Sequence, residues 1–278
     1  GETLLSQRFQ AAELEAFFNR QCALFLGWAE QEMQHRAARN RTAQTLAFPH
    51  ADFRPGQRVL AESVYKAVST GRCLMAQAPT GIGKTIGTIF PLLKALAPQQ
   101  LDKVFFLTAK TPGRTLALDA SEVLFANGPD LQLRVLELVA RDKACEHLDK
   151  ACHGESCPLA KGFYDRLPAA RIAAAQVRLL NQRNLRDVAL AHAVCPYYLS
   201  QEMARWADLV VADYNYYFDF SALLFGLAQF NQWNVAVLVD ESHNLVERGR
   251  QMYSATLDQA TLGSVRKTAP EALKKSLQ

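Results

Sequence analysis

Long apolar runs are missing from this chain. No stretch approaches the roughly 18–20 consecutive apolar residues of a membrane-spanning helix. No basic segment leads into an apolar one at the N-terminus, so no secretory signal is visible there. A strong charge of either sign is also missing. The 31 basic and 27 acidic residues leave +4 over 278 residues, too little for net charge alone to indicate a nucleic-acid partner. Internal repeats and low-complexity tracts are absent. The six cysteines are not spread like a disulfide framework, and metal binding or burial is their better explanation in a chain that reads as cytoplasmic.

What is present is an ordinary globular composition, 49% hydrophobic and 21% charged. The length suits one large domain, or one domain with a sizeable insertion. Residues 3–46 read as helical, with apolar Leu14, Phe17, Phe18, Leu24, Phe25 and Trp28, and end in a basic polar stretch before Pro49 and Pro55. A helix is expected over 56–70, a strand over 72–77 and a helix from Lys84 to Ala97. A strand follows at Val104–Thr108, with Pro112 opening the next helix at a favoured first-turn position. Leu133–Val139, Asp208–Ala212 and Val235–Val239 complete the strands. The last two are apolar without alternation, which suits parallel strands buried on both faces. Strands alternating with helices indicate an α/β sheet.

Residues 78–85, Ala-Pro-Thr-Gly-Ile-Gly-Lys-Thr, follow an expected strand and open an expected helix. That context turns a glycine-rich octamer into a phosphate-binding loop. Gly81 and Gly83 let backbone N–H groups turn inward around a phosphate, and the helix beginning near Lys84 adds its positive end. Lys84 is expected on the β- and γ-phosphates of ATP and Thr85 on Mg²⁺. Ala78 replaces the usual first glycine, which lies farthest from the phosphates. The apolar run from Val235 ends in Asp240-Glu241-Ser242-His243. Asp240 can hold Mg²⁺ through water, and Glu241 can orient or deprotonate an attacking water.

Cys145, Cys152, Cys157 and Cys195 leave gaps of six, four and thirty-seven residues. These fit paired zinc knuckles only in part. Four thiolates with looser spacing also suit a [4Fe–4S] cluster, and spacing leaves both open. Arg141 and Lys143 flank Cys145 and suit a negatively charged cluster. Cys22 and Cys73 sit in apolar segments and read as core residues. From Lys161 to Arg186 six cations (Lys161, Arg166, Arg171, Arg178, Arg183, Arg186) face one acid, Asp165. That excess suits either a phosphate backbone or a solvated helix face.

Together these stretches resemble the XPD/DinG group of iron–sulfur superfamily 2 DNA helicases over nearly all of residues 50–250. Phe53-Arg-Pro-Gly-Gln57 resembles the Q motif, which places Arg54 and Gln57 on the adenine side. Ala78 to Thr85 is similar to motif I, with Thr80, Gly81, Ile82 and Gly83 as nucleotide contacts. Phe106-Leu-Thr-Ala-Lys-Thr111 is similar to motif Ia. Cys195-Pro-Tyr-Tyr198 resembles the last cluster ligand, and Val211 to Tyr216 the strand and turn after it. Asp240 to His243 matches the DEAH box, with Ser242 for alanine.

The resemblance implies an α/β, RecA-like P-loop NTPase sheet with a mostly helical iron–sulfur insertion and a helical N-terminal segment. The expected divisions are a connector at 1–48, motor sequence at 49–140 and 206–250, a cluster domain at 141–205, and the start of an arch-like insertion at 251–278. It implies Lys84, Asp240, Glu241 and His243 as catalytic residues. Cys145, Cys152, Cys157 and Cys195 become cluster ligands, and Thr85 and Asp240 magnesium ligands. Thr108, Lys110, Arg114, Tyr214 and Asn215 are expected on DNA, with Tyr197 or Tyr198 as base-stacking candidates and core packing as their plainer role. The implied activity is ATP-driven 5′–3′ translocation on single-stranded or forked DNA, in a bacterial-type cytoplasmic, nucleoid-associated protein. The chain is expected to be the N-terminal half, completed by a second motor domain and in some relatives an upstream nuclease. The competing readings are an ATP- and DNA-binding module without turnover and a zinc-stapled P-loop ATPase.

Overall fold

The computed structural model describes residue 4 and residues 6–274. The expectations for residues 1–3 and 5 of the connector, and for 275–278 of the arch-like segment, lie outside the described residues. Helix α1 (Ala11–Thr45) starts with a capping box in which the Gln10 N–H donates to Glu13 Oε2 at 2.8 Å. Among its residues only Arg39 and Ala43 are buried. Leu14, Phe17, Phe18, Leu24, Phe25 and Trp28 are all exposed, and of these Trp28 alone meets a core ring, edge-on against Trp206.

The C-terminal part of α1 is held by charge rather than by oil. His35 Nε2 lies 2.8 Å from Asp208 Oδ2, and Arg39 donates to Asp208 Oδ1 at 3.0 Å. Arg39 also donates to the carbonyls of Leu101 and Asp102, and Arg134 pairs with Glu32 at 2.7 Å. Burial alone would raise the Asp208 carboxyl. The His35 hydrogen bond and the charges of Arg39, His35 and Lys103 outweigh it and hold the group at about 2. Burial pushes the Lys103 ammonium down to about 8, against the opposing pull of Asp208 and Glu32.

Helices α2 (Gln57–Ser69) and α3 (Lys84–Ala95) pack together ahead of β1 (Lys103–Thr108) and α4 (Thr111–Asn127). Pro112 sits in the first turn of α4, as expected. Next come β2 (Val135–Glu137), α5 (Arg141–Ala144), α6 (Phe163–Ala175), β3 (Leu179–Leu180), α7 (Gln182–Ala191) and α8 (Pro196–Met203). The chain continues through β4 (Leu209–Asp213), α9 (Asn215–Phe218), α10 (Leu223–Phe230), β5 (Val235–Val239), a 3₁₀ turn at Ser242–Asn244, α11 (Leu245–Met252), α12 (Gln259–Thr268) and α13 (Glu271–Lys274).

The five strands form one parallel sheet in the order β3-β2-β4-β1-β5. Alternate residues enter different cores. Val104 and Phe106 of β1 and Leu209 and Val211 of β4 face one side, while Phe105, Leu107, Val210 and Ala212 face the other. Double burial explains why these strands read as unbroken apolar runs.

Two differences from the sequence reading stand out. The expected strand at 72–77 forms no ladder, and Leu74 and Met75 are exposed, Met75 to 95%. The segment is apolar enough for a strand, yet none of the described strands pairs with it. β5 makes no second strand pairing among the described residues. The second difference is β3, which lies inside the expected 141–205 insertion but extends the main sheet through Val135↔Leu179 and Leu136↔Leu180.

Candidate nucleotide site and the adjoining cleft

The octamer 78–85 turns where its glycines allow. Gly81 and Gly83 have φ of 84° and 81°, a region costly to residues with a Cβ. Space imposes the same choice at position 83, where a Cβ would lie 2.3 Å from Gln57 Nε2. Gln57 is buried and donates to the Gly83 carbonyl at 3.0 Å, while its Oε1 accepts from the Arg54 N–H at 3.0 Å. Arg54 donates to the Gly81 carbonyl. Both residues expected on adenine therefore brace the loop's own carbonyls in this structure. Ala78 packs against the core, Thr80 is exposed, and Ile82, Lys84 and Thr85 are partly exposed at the head of α3.

The acidic pair follows β5. The Asp240 N–H donates to the Leu107 carbonyl at 2.8 Å, extending the β1–β5 pairing by one residue. Glu241 then adopts a left-handed backbone, φ 51° and ψ 46°, strained for a residue with a side chain. Its carboxylate meets Lys84 Nζ at 3.2 Å and His243 Nδ1 at 3.5 Å. The phosphate loop and the DEAH box, far apart in sequence, thus meet at the carboxyl end of a parallel sheet, where open α/β folds bind ligands. Burial raises the Asp240 carboxyl, the neighbouring Glu241 charge adds to this, and Lys84 opposes it. A carboxyl raised in this way gains from a divalent cation. The positive-φ glycines, the lysine and the acidic pair fit a bound Mg-nucleotide.

The DNA candidates divide. Tyr214 is fully buried, and its hydroxyl donates to the carbonyls of Asp240 and Glu241, the latter at 3.0 Å. Burial, then the charges of Asp240, Glu241 and Asp213, push its hydroxyl up to about 12. As placed, it is not offered to a DNA strand. Thr108 is also buried, against Gly113. Arg114 is buried and pairs with Glu137 at 3.3 Å. Lys110 is exposed at the N-terminus of α4, and Asn215 is exposed.

Arg114 and Asn215 nevertheless line one cleft of about 400 Å³ together with Arg141, Lys143, Tyr197, Tyr216 and Arg248. Sequence reading missed Arg248, which donates to Asp213 Oδ1 at 2.6 Å and Asn215 Oδ1 at 2.9 Å, and Tyr216, whose hydroxyl donates to the Val139 carbonyl at 2.8 Å. Tyr216 closes the Val211–Tyr216 stretch but is not singled out within it, and no local pattern marks Arg248. Of the six-cation stretch, Arg171 pairs with Glu202, Arg186 pairs with Glu146, Arg178 donates to the Pro129 carbonyl and lies over Phe125, and Arg166 donates to the Lys161 carbonyl. Four of the six therefore tie this region together. Lys161 and Arg183 are exposed.

The four expected ligand cysteines are all free. Cys157 and Cys195 are buried, Cys145 is half-buried and Cys152 is exposed. Burial pushes the Cys195 thiol up. The backbone N–H groups of Tyr198 and Tyr197 oppose this, and the neighbouring Cys145 and Cys157 add to it. The donor chemistry fits a thiolate-bound group, but the geometry as placed does not. Among the described residues, no three Cys, His, Asp or Glu side chains gather into a metal-holding group.

A parallel sheet with a phosphate loop and an acidic pair at its carboxyl ends defines a P-loop nucleoside-triphosphatase domain. The DEAD_2 family matches residues 115–262, more than half of the chain, and the chain belongs to that family. It is similar to the N-terminal region of XPD-like superfamily 2 helicases. A regulator of telomere elongation helicase 1 homolog of Anopheles gambiae is 28% identical over 144 residues, 46% of this chain and 14% of that protein. The general transcription and DNA repair factor IIH helicase subunit XPD of Arabidopsis thaliana is 24% identical over 251 residues, 78% of this chain and 33% of that protein. The chain thus spans a third or less of these relatives. Two solved structures share the fold. One, described as truncated XPD, has a TM-score of 0.52 at 19% identity, covering 78% of this chain and 62% of its own. Another, an XPD helicase, has a TM-score of 0.53 at 18% identity, covering 82% and 39%. No helix among the described residues is long and apolar enough to cross a membrane.

Proposed function

We propose that this chain is the first motor lobe of an ATP-dependent DNA helicase of the XPD/DinG type. The observation that carries the reading is the meeting of Lys84 and Glu241 at 3.2 Å. Lys84 neutralises the terminal phosphates of ATP, Thr85 and Asp240 hold Mg²⁺, and Glu241 orients the attacking water and accepts its proton. His243 lies beside Glu241 to sense its state. The cleft edged by Arg141, Lys143 and Asn215 receives single-stranded DNA, and the exposed Lys110 is a further DNA contact. Translocation runs 5′ to 3′, and a second motor lobe of the same full-length protein supplies the rest of the ATP site. The divisions at 1–48, 49–140, 141–205, 206–250 and 251–278 belong to this proposal, as does a bacterial cytoplasmic, nucleoid-associated setting. DNA-stimulated ATPase of the full-length protein tests it. Lys84→Ala should abolish turnover, and retention of full activity would remove the motor assignment.

Cys145, Cys152, Cys157 and Cys195 are proposed as ligands of a [4Fe–4S] cluster, drawn together when the cluster is assembled. Support comes from four unpaired thiols, with Cys145 and Cys157 close enough to Cys195 to act on its thiol. A colourless, anaerobically purified protein holding one zinc would replace the cluster with a zinc staple. An ATP- and DNA-binding module without turnover is not favoured, because both the loop lysine and the acidic pair are present and meet.

A further inference from the structure

The DEAH turn is held from outside its own strand. β4 and β5 are not neighbours, since β1 lies between them. Tyr214, at the end of β4, reaches past the end of β1 to the backbone that follows β5. Its hydroxyl donates to the carbonyls of Asp240 and Glu241. The Glu241 carbonyl also accepts from the Asn244 N–H at 2.9 Å and from Asn244 Nδ2 at 3.1 Å. Three donor groups thus lie within reach of one carbonyl, the tyrosine proton being shared with the Asp240 carbonyl, at the residue whose backbone is left-handed. A second tie runs parallel to the first, with Arg248 of α11 bound to Asp213 and Asn215, the residues on either side of Tyr214. The corner at 213–215 therefore grips the acidic turn before and after the 3₁₀ segment.

We infer that Tyr214 is a positioning residue for ATP hydrolysis, fixing the Glu241 backbone so that its carboxylate is held toward Lys84 and the attacking water. The inference rests on the motor reading and deepens it. A left-handed glutamate is retained only when its surroundings over-determine it, and the tyrosine hydroxyl is the donor that comes from outside the turn. Without that hydroxyl the turn can relax toward ordinary backbone angles and carry the Glu241 carboxylate away from Lys84. Substrate binding depends on the phosphate loop, which Tyr214 does not touch, so the loss falls on turnover. Asn215, beside Tyr214, lines the cleft proposed for DNA, so the same corner joins that cleft to the acidic pair.

The test compares wild-type full-length protein with Tyr214→Phe, Asn244→Ala and Lys84→Ala in a DNA-stimulated ATPase assay, together with thermal unfolding. Tyr214→Phe should lower kcat by on the order of ten- to a hundredfold, as small misplacements of catalytic groups do, leave KM for ATP unchanged, and lower the unfolding midpoint by only a few degrees. Asn244→Ala, which removes one side-chain donor from the same carbonyl, should lower kcat less but in the same direction. Wild-type kcat in Tyr214→Phe, with Lys84→Ala inactive, overturns the positioning role and leaves the motor reading standing. Full activity in Lys84→Ala overturns the motor reading itself. If Tyr214→Phe proves unstable, Asn244→Ala decides, and an unchanged kcat there overturns the inference.

Discussion

Lys84 Nζ and Glu241 Oε1 lie 3.2 Å apart, so the phosphate-loop lysine already has an acidic partner. Both side chains are partly exposed, 32% and 45%, so the pair contributes no more than about 1 kcal/mol. Lys84 must nevertheless leave Glu241 to take a phosphate. Glu241→Gln removes this competition along with the proposed general base. The variant should lose turnover yet bind ATP more tightly, by up to about fivefold. Equilibrium titration with a fluorescent ATP analogue checks this, and unchanged or weaker binding would show that the pair does not compete with nucleotide.

Position 83 is closed to side chains twice over, by φ of 81° and by Gln57 Nε2, which would lie 2.3 Å from an added Cβ. Gly83→Ala should therefore cost about 1–3 kcal/mol of stability and abolish ATP binding. Adding Gln57→Ala relieves the contact but not the backbone strain, so the double variant should recover only part of the stability. Chemical denaturation midpoints read both effects. A Gly83→Ala protein with wild-type stability and binding would mean that the loop is free to take another shape.

Asp208 is the most consequential buried acid outside the site. Its carboxyl is held at about 2 in the folded protein, against an ordinary unfolded value near ~3.9. The folded state therefore binds this proton less readily than the unfolded chain. The stability it contributes is complete above about pH 4 and is lost as pH falls toward about 2, amounting to about 2–3 kcal/mol. Asp208→Asn should flatten this acid limb. It should also cost about 3–5 kcal/mol at neutral pH, because it leaves the buried Arg39 without its carboxylate. Denaturation curves from pH 2 to 7 separate the two effects.

The legible parts of the fold share one physical cause. β1, β4 and β5 are buried on both faces of a parallel sheet, so their apolar runs announce them, and the glycine loop and acidic pair take their meaning from strand ends. Polar side chains read less well. Gln57, Arg114 and Tyr214 have the chemistry of ligand-binding residues, and here they hold loop carbonyls, a buried glutamate and a strained turn. A side chain able to bond a base or a phosphate bonds a backbone carbonyl equally well, and only its placement decides between them. β3 escapes notice because two residues carry no periodicity. The apolar residues of α1 mislead for the opposite reason: helical spacing is present, but the helix is anchored instead through Arg39, His35 and Glu32.

The unpaired segment before the phosphate loop gives a last prediction. Arg72 donates its N–H to the Ala67 carbonyl at 2.9 Å, and the chain then runs without regular structure to Ala78, which packs against the core. The amides of residues 73–77 have no backbone partner among the described residues, while those of Phe105 to Leu107 sit within the β1 ladders. Hydrogen exchange should therefore be near the unprotected rate at 73–77 and limited by global unfolding in β1. Met75, 95% exposed, should also oxidise readily with peroxide. Protection at 73–77 equal to that of β1 would mean that the segment is paired after all. The same measurement on the full-length protein distinguishes two ways of holding the loop. If 73–77 stays unprotected there, Arg54, Gln57 and Ala78 suffice to place Lys84. If it becomes protected, a segment outside this chain completes the ladder, and the position of the phosphate loop depends on that pairing.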